Sequence, residues 1–150
     1  MMELKQIIDH SGISCSGIIV ELTESGYLEG TPAVRSVWND MKQLRIQIAL
    51  DDFGTGYSNL MNISNLEPDI VKLDRGFTLK ALSRSYEYQL MQYVIEMVHK
   101  LNQYVCVEGV ETKEDLEKIK ALGPDLIQGY YYSKPCSRDE FLKKFFDYSE

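Results

Sequence analysis

Apolar, β-branched runs recur along the chain at 17–24 (GIIVELTE), 46–52 (IQIALDD), 69–74 (DIVKLD), 104–111 (YVCVEGVE) and 125–132 (DLIQGYYY). They are near-continuous rather than alternating, which is the pattern of strands buried on both faces of a parallel sheet. Between them, apolar residues return at three- and four-residue steps, as an amphipathic helix requires. Val34, Val37, Trp38, Met41 and Leu44 do so over 31–44, and Leu90, Val94, Val98 and Leu101 over 86–101. Thr112 with Asp115, followed by Leu116, Ile119 and Leu122, predicts a capped short helix ending at Gly123. Ser137 with Glu140 predicts a capping box opening a last helix through Phe141, Phe145 and Phe146. A helical pattern also opens the chain, LKQIIDHSG, and another short one covers 57–65. The order α-βα-βα-βα-βα-βα implies an α/β fold with a parallel sheet. A closed (β/α)8 barrel takes about 250 residues, so this chain supplies about five βα units. Two architectures fit: an open doubly wound sheet, or the later part of a barrel. No linker, low-complexity tract or internal repeat divides residues 1–150.

Composition narrows the partners. The chain has 150 residues, 44% of them hydrophobic, enough for one domain with a real core. Its net charge of −7 disfavours DNA or RNA, whose binding rests on a cationic surface. No apolar run approaches the length of a membrane span, and MMELKQIIDH lacks the apolar core of a signal peptide. Cys15, Cys106 and Cys136 are odd in number and scattered. They predict reduced thiols in a cytoplasmic chain, Cys15 and Cys106 as packing residues, and no cysteine metal site.

The chemistry gathers at the strand ends. Glu21 with Glu24, Asp51 with Asp52, Lys72 with Asp74, Glu108 with Glu111, and Gln128 each stand near the C-terminal end of a predicted strand. Ligands bind there in parallel α/β folds, because loops and helix N-termini converge on that rim. The stretch ALDDFGTGYSNL (49–60) is the sharpest case. Two adjacent acids repel unless a cation or a shared proton relieves them, and a turn needs only one. Singly, each position has a structural reading: Glu24 or Asp74 as caps, Glu111 as a first-turn acid, Gln128 as a buried amide, Lys72 as an ion pair. Trp38 and the helical methionines read as core, and His10 and His99 as surface. Tyrosines 130–132 fit either core or pocket. Taken together, carboxylates and an amide without His or Cys form a hard oxygen set suited to Mg²⁺ or Mn²⁺. Two such ions about 3.5–4 Å apart activate water against a phosphodiester. A Schiff-base role for Lys72, as in an aldolase, needs one or two acids and leaves the others unexplained.

Five stretches carry a resemblance: ELTES (21–25), LDDFGTGYSNL (50–60), PDIVKLDRGF (68–77), VEGVET (107–112) and LIQGYYYSKP (126–135). In order and spacing they resemble the motifs of the EAL domain family, bacterial phosphodiesterases of cyclic di-GMP, over nearly the whole chain. The resemblance implies a TIM-type (β/α)8 barrel, here incomplete, and cleavage of one phosphodiester with Mg²⁺ or Mn²⁺ to give linear pGpG. It implies Glu21 and Asp51 as metal ligands, with Asp52 serving a second metal. Glu111 and Gln128 would complete the metal and water shell. Lys72 would orient the attacking water, Glu108 would be the general base, and Glu24 would hold the DDFGTGYS loop.

The departures are the Glu-Ala-Leu strand and an Asn ligand, which would stand ahead of residue 1, and smaller ones at Val107 and Pro124. The expectation is therefore the C-terminal part of the barrel, self-associating through exposed edges and weakly active or inactive alone. Also expected are an upstream sensor or GGDEF-type domain and a cytoplasmic location, in a larger membrane-anchored protein or otherwise. The alternative is a non-catalytic EAL-like module that binds nucleotide or a protein.

Overall fold

A computed structural model describes residues 2–23, 32–55, 63 and 66–146. Helix α1 is Met2–Ser11, followed by a 3-10 turn at Cys15–Gly17 and strand β1 at Ile19–Thr23. Then come α2 (Pro32–Gln43), β2 (Gln47–Phe53) and β3 (Ile70–Leu73). Two helices in series, α3 (Arg75–Ser83) and α4 (Ser85–Lys100), lead to β4 (Tyr104–Val107). Helix α5 (Lys113–Lys120), β5 (Leu126–Ile127) and α6 (Arg138–Phe145) complete the described chain. Among the described residues, no helix is long and apolar enough to cross a membrane.

The five strands are parallel and lie side by side in chain order. That order decides between the two architectures. A doubly wound sheet reverses direction part-way, whereas a barrel adds each strand beside the last. Helices α1 to α5 share one face. Ile48, Leu50, Val71, Leu73, Val105 and Val107 point toward it and pack with Trp38, Met41, Phe77, Met91, Ile95, Leu116 and Ile119 in one core. Alternate residues turn the other way, where Ala49, Ile70 and Cys106 form a second, smaller cluster. On that inner face Ile19, Tyr104 and Leu126 are exposed. The described sheet is thus an incomplete barrel, with its helices outside and an open interior.

Several expectations shift. The last two strands are shorter than predicted, four and two residues, because Glu108 onward and Gln128 onward turn into rim loops. Tyrosines 130–132 lie in those loops and are exposed. The buried face of α4 is Met91, Ile95 and Val98, while Leu90 and Leu101 face solvent. Helix α3 was not expected from periodicity. Asp74 starts it, accepting from the Gly76 N–H at 2.7 Å, as the capping reading of that acid predicts. Both predicted capping boxes form, Thr112–Asp115 and Ser137–Glu140. Cys106 is buried, Cys15 is partly buried against the core and Cys136 is exposed, all as free thiols. The expected helix at 57–65 lies mostly outside the described residues.

One device recurs where no repeat was expected. Pro68-Asp69-Ile70 spans the start of β3 and Pro124-Asp125-Leu126 the start of β5. Each Asp accepts the N–H of a residue on the preceding strand, Ile48 to Asp69 Oδ2 and Val105 to Asp125 Oδ2, both at 2.8 Å. Each also donates its own N–H to that residue's carbonyl. Asp125 Oδ2 further meets His99 Nε2 at 2.9 Å. Burial works against the Asp125 charge, but the Val105 N–H and His99 outweigh it and hold its carboxyl below the usual carboxylate range. An acid with a lowered folded-state pKa stabilises above its unfolded value, and that stability is lost as the pH falls through the folded value. Asp125→Ala should therefore lose about 1–3 kcal/mol at neutral pH by leaving the Val105 N–H unpaired. In urea melts the gap to the parent chain should narrow as the pH drops below the usual carboxylate range.

Candidate active site

The inner face of the sheet changes character at its C-terminal end. Below that end it carries Ala49, Ile70 and Cys106; at it stand Asp51 and Lys72. Lys72 is 5% exposed in a strand buried along its length. A buried ammonium costs several kcal/mol unless paired, and three strands supply the partners. Glu21 Oε1 of β1 lies 2.8 Å from Lys72 Nζ, Asp51 Oδ1 of β2 at 3.0 Å, and Glu108 Oε1 just past β4 at 2.7 Å. Burial opposes the Lys72 charge, yet the carboxylates of Glu108, Glu21 and Asp51 prevail and raise its pKa well above the ordinary lysine value. Lys72 is charged at any physiological pH. The contact with Asp51 is the longest of the three, and Asp51 Oδ1 is buried.

Asp52 is placed by a β-bulge. Leu50 pairs with Val71 and Phe53 with Leu73, so β2 spends one residue more than β3 over the same span. Asp52 takes up the extra residue in the left-handed region, φ 62°, which Asp tolerates better than most side chains. The bulge lets Phe53 turn into the helix-facing core while both acids stay on the rim. Burial, then Asp51 and Asp74, push the Asp52 carboxyl above its ordinary value against the opposing pull of Lys72.

Glu108 also lines a cleft of about 360 Å³ with Glu111, Gln128, Arg75 and Tyr130. The structure thus brings Glu21, Asp51 and Glu108 onto Lys72, and Glu111 and Gln128 into the adjoining cleft. Glu24 lies outside the described residues. Sequence reading missed Arg75, whose Nε and Nη2 both donate to Glu111 Oε1 at 3.2 and 2.7 Å. Gly109 makes room for it: its φ is +78°, and a Cβ there would run into the Arg75 side chain. The available signal was the capping Asp74, which places Arg75 first in a helix that starts on the rim.

Residues 1–135 match the EAL domain family. The chain belongs to it. A relative among curated proteins is the cyclic di-GMP phosphodiesterase PdeF of Escherichia coli, 32% identical over 89% of this chain and 18% of its own length. Among solved structures, the EAL enzyme Bd1971 with cAMP and cyclic di-GMP bound superposes with a TM-score of 0.86 at 31% identity. That match covers 93% of this chain and 37% of Bd1971. BlrP1 of Klebsiella pneumoniae, in a manganese and cyclic di-GMP complex, gives 0.81 at 26% identity, covering 89% of this chain and 35% of that one. This chain spans less than a fifth of the first curated relatives it matches.

The donor set of this EAL chain suits a hard divalent cation, since Glu21, Asp51, Asp52, Glu111 and Gln128 all offer side-chain oxygen. Yet no three of the described His, Cys, Asp and Glu residues are grouped as a ready metal cage. Three carboxylates are turned onto Lys72 instead. The bulge offers a direct check. Asp52→Gly removes a like charge and relieves a positive φ, and should leave stability unchanged or raise it. Asp52→Val should lose about 1–2 kcal/mol to left-handed strain. Urea denaturation of the two variants separates these outcomes, and equal effects would show that the bulge conformation is not held in solution.

Proposed function

We propose that this chain carries the reacting rim of a cyclic di-GMP phosphodiesterase that opens one phosphodiester to give linear pGpG. The observation that carries the reading is Lys72, buried and ringed by Glu21, Asp51 and Glu108, on the ligand-binding rim of an EAL domain. Relatives named as cyclic di-GMP phosphodiesterases support the reaction class. Glu21 and Asp51 would hold a divalent cation, Mg²⁺ or Mn²⁺, with Asp52 toward a second and Glu111 and Gln128 completing the shell. Such ions polarise the phosphate and lower the pKa of bound water. Glu108 touches Lys72 and also lines the cleft, so it can take a proton from water that the ammonium orients. Arg75 holds the Glu111 carboxylate through two donors. Glu24 would steady the loop after Asp52. A cytoplasmic site of action fits a nucleotide messenger.

The test is hydrolysis of cyclic di-GMP with Mn²⁺, followed as pGpG. Weak product formation is expected from residues 1–150, and Glu108→Gln should lower it by about 10²–10⁴-fold. A second reading, a non-catalytic module that binds nucleotide or protein, is favoured by the turning of the acids onto Lys72. Cyclic di-GMP binding by calorimetry with no product would select its nucleotide-binding form, and neither binding nor product would reject both that form and the enzyme.

The open inner face bears on assembly. Ile19, Tyr104 and Leu126 are 47%, 55% and 45% exposed there, and strand β1 stands at one edge of the described sheet. Static light scattering of the chain should show self-association that grows with concentration; a stable monomer throughout would count against it.

A further inference from the structure

Three carboxylate oxygens lie within 3.0 Å of one Lys72 nitrogen, and two of those acids, Glu21 and Asp51, are the ones assigned above to a metal. Glu21 Oε1 and Asp51 Oδ1 face the ammonium, and a divalent cation that drew these same oxygens to about 2.0–2.6 Å would stand close enough to Lys72 for the two positive charges to repel. We infer that Lys72 is a built-in counter-ion that assembles the acids before metal arrives and must release Glu21 and Asp51 when it binds. Lysine and metal are then competitors for one set of oxygens.

Without a cation of some kind the cluster could not stay converged. Asp51 is 20% exposed at its side chain and Glu108 18%, so water screens the repulsion between these two poorly, while Glu21 at 50% is half open to solvent. Lys72 removes that repulsion and keeps the oxygens close to where a metal needs them. The same contact raises the threshold for metal entry, so the site responds to free divalent cation as a switch between two counter-ions. Glu108, which belongs to no metal in this scheme, keeps Lys72 when the others leave. That retention leaves the ammonium beside the general base, the position its water-orienting role requires.

This inference rests on the reading of Glu21 and Asp51 as metal donors, and the experiment separates the two. Mn²⁺ binding is measured by calorimetry, and thermal unfolding with and without Mn²⁺, for the chain and for Lys72→Met. Competition predicts that Lys72→Met unfolds at lower temperature without metal, binds Mn²⁺ roughly tenfold tighter or more, and gains more melting temperature from it. Equal or weaker Mn²⁺ binding by Lys72→Met overturns the competition and leaves the metal assignment standing. Binding by neither protein overturns both. Should the variant fold only with Mn²⁺ present, that dependence itself supports the exchange of counter-ions. The parent chain supplies an independent reading through the Lys72 ¹⁵N ammonium resonance. Saturating Mg²⁺ should shift it and speed its hydrogen exchange; an unchanged resonance with Mg²⁺ bound would refute the inference.

Discussion

A single buried ammonium sets the terms for the rest of the structure. Lys72 is wrapped by β3 and its neighbours, and desolvating it costs several kcal/mol that only correctly placed carboxylates return. Those carboxylates come from three other points on the sheet, so the charge constrains register across four strands. Glu21, Ala49, Ile70 and Tyr104 form one row of paired residues. Asp51 and Lys72 stand two residues above that row, and Glu108 four above it. All are even steps, which keep the side chains on one face. A slip of one residue in any strand would turn its contribution to the helix side. The rising stagger from Glu21 to Glu108 reflects the tilt that strands adopt around a barrel.

Even steps alone would not serve β2, which must deliver two adjacent acids to one rim and still bury Phe53 among the helices. Strict alternation sends Phe53 to the inner face with Asp51. The bulge at Asp52 adds one residue and reverses that assignment. Its conformational strain is modest for an aspartate and is offset by the Phe53 packing it permits. The raised Asp52 carboxyl pKa owes most to burial and then to Asp51 and Asp74, the acids beside which the bulge holds it. Local strain, core packing and site electrostatics meet in these three residues.

The sequence was most legible where one interaction sufficed. Continuous apolar runs marked the strands, and capping chemistry marked α5 and α6, because each depends on neighbours a few residues away. The acids at the strand ends were recognisable as a group for the same reason: each follows its own strand. What stayed hidden required knowledge of the third dimension. The buried stripe of α4 differs from the one periodicity suggested, because Leu90 and Leu101 are as apolar as the residues beside them and only packing chooses between the two. Arg75 was invisible as a partner of Glu111, since 36 residues separate them. The paired roles of Asp69 and Asp125 were equally obscure. A carboxylate that accepts the N–H of an adjoining strand looks, in sequence, like any turn residue before an apolar run. Patterning alone left barrel and doubly wound sheet both open; the five motifs implied the barrel by resemblance, and the strand order bears that out.

The inner face links the fold to the strength of the site. Beneath Lys72 the sheet offers Ala49, Ile70 and Cys106, an apolar floor that excludes water from one side of the cluster. Burial, followed by the nearby Glu108 charge, pushes the Cys106 thiol up to about 11, so this floor remains uncharged at physiological pH. Its outer margins, Ile19, Tyr104 and Leu126, are open to solvent among the described residues. Charge interactions strengthen as the surrounding dielectric falls. Any surface that covers those margins would therefore tighten the grip of the carboxylates on whichever cation they hold, whether lysine or metal. It would also raise the penalty for leaving one of them unpaired. Covering the apolar interior and sharpening the electrostatics at the rim are in this fold one event, because the same five strands form both.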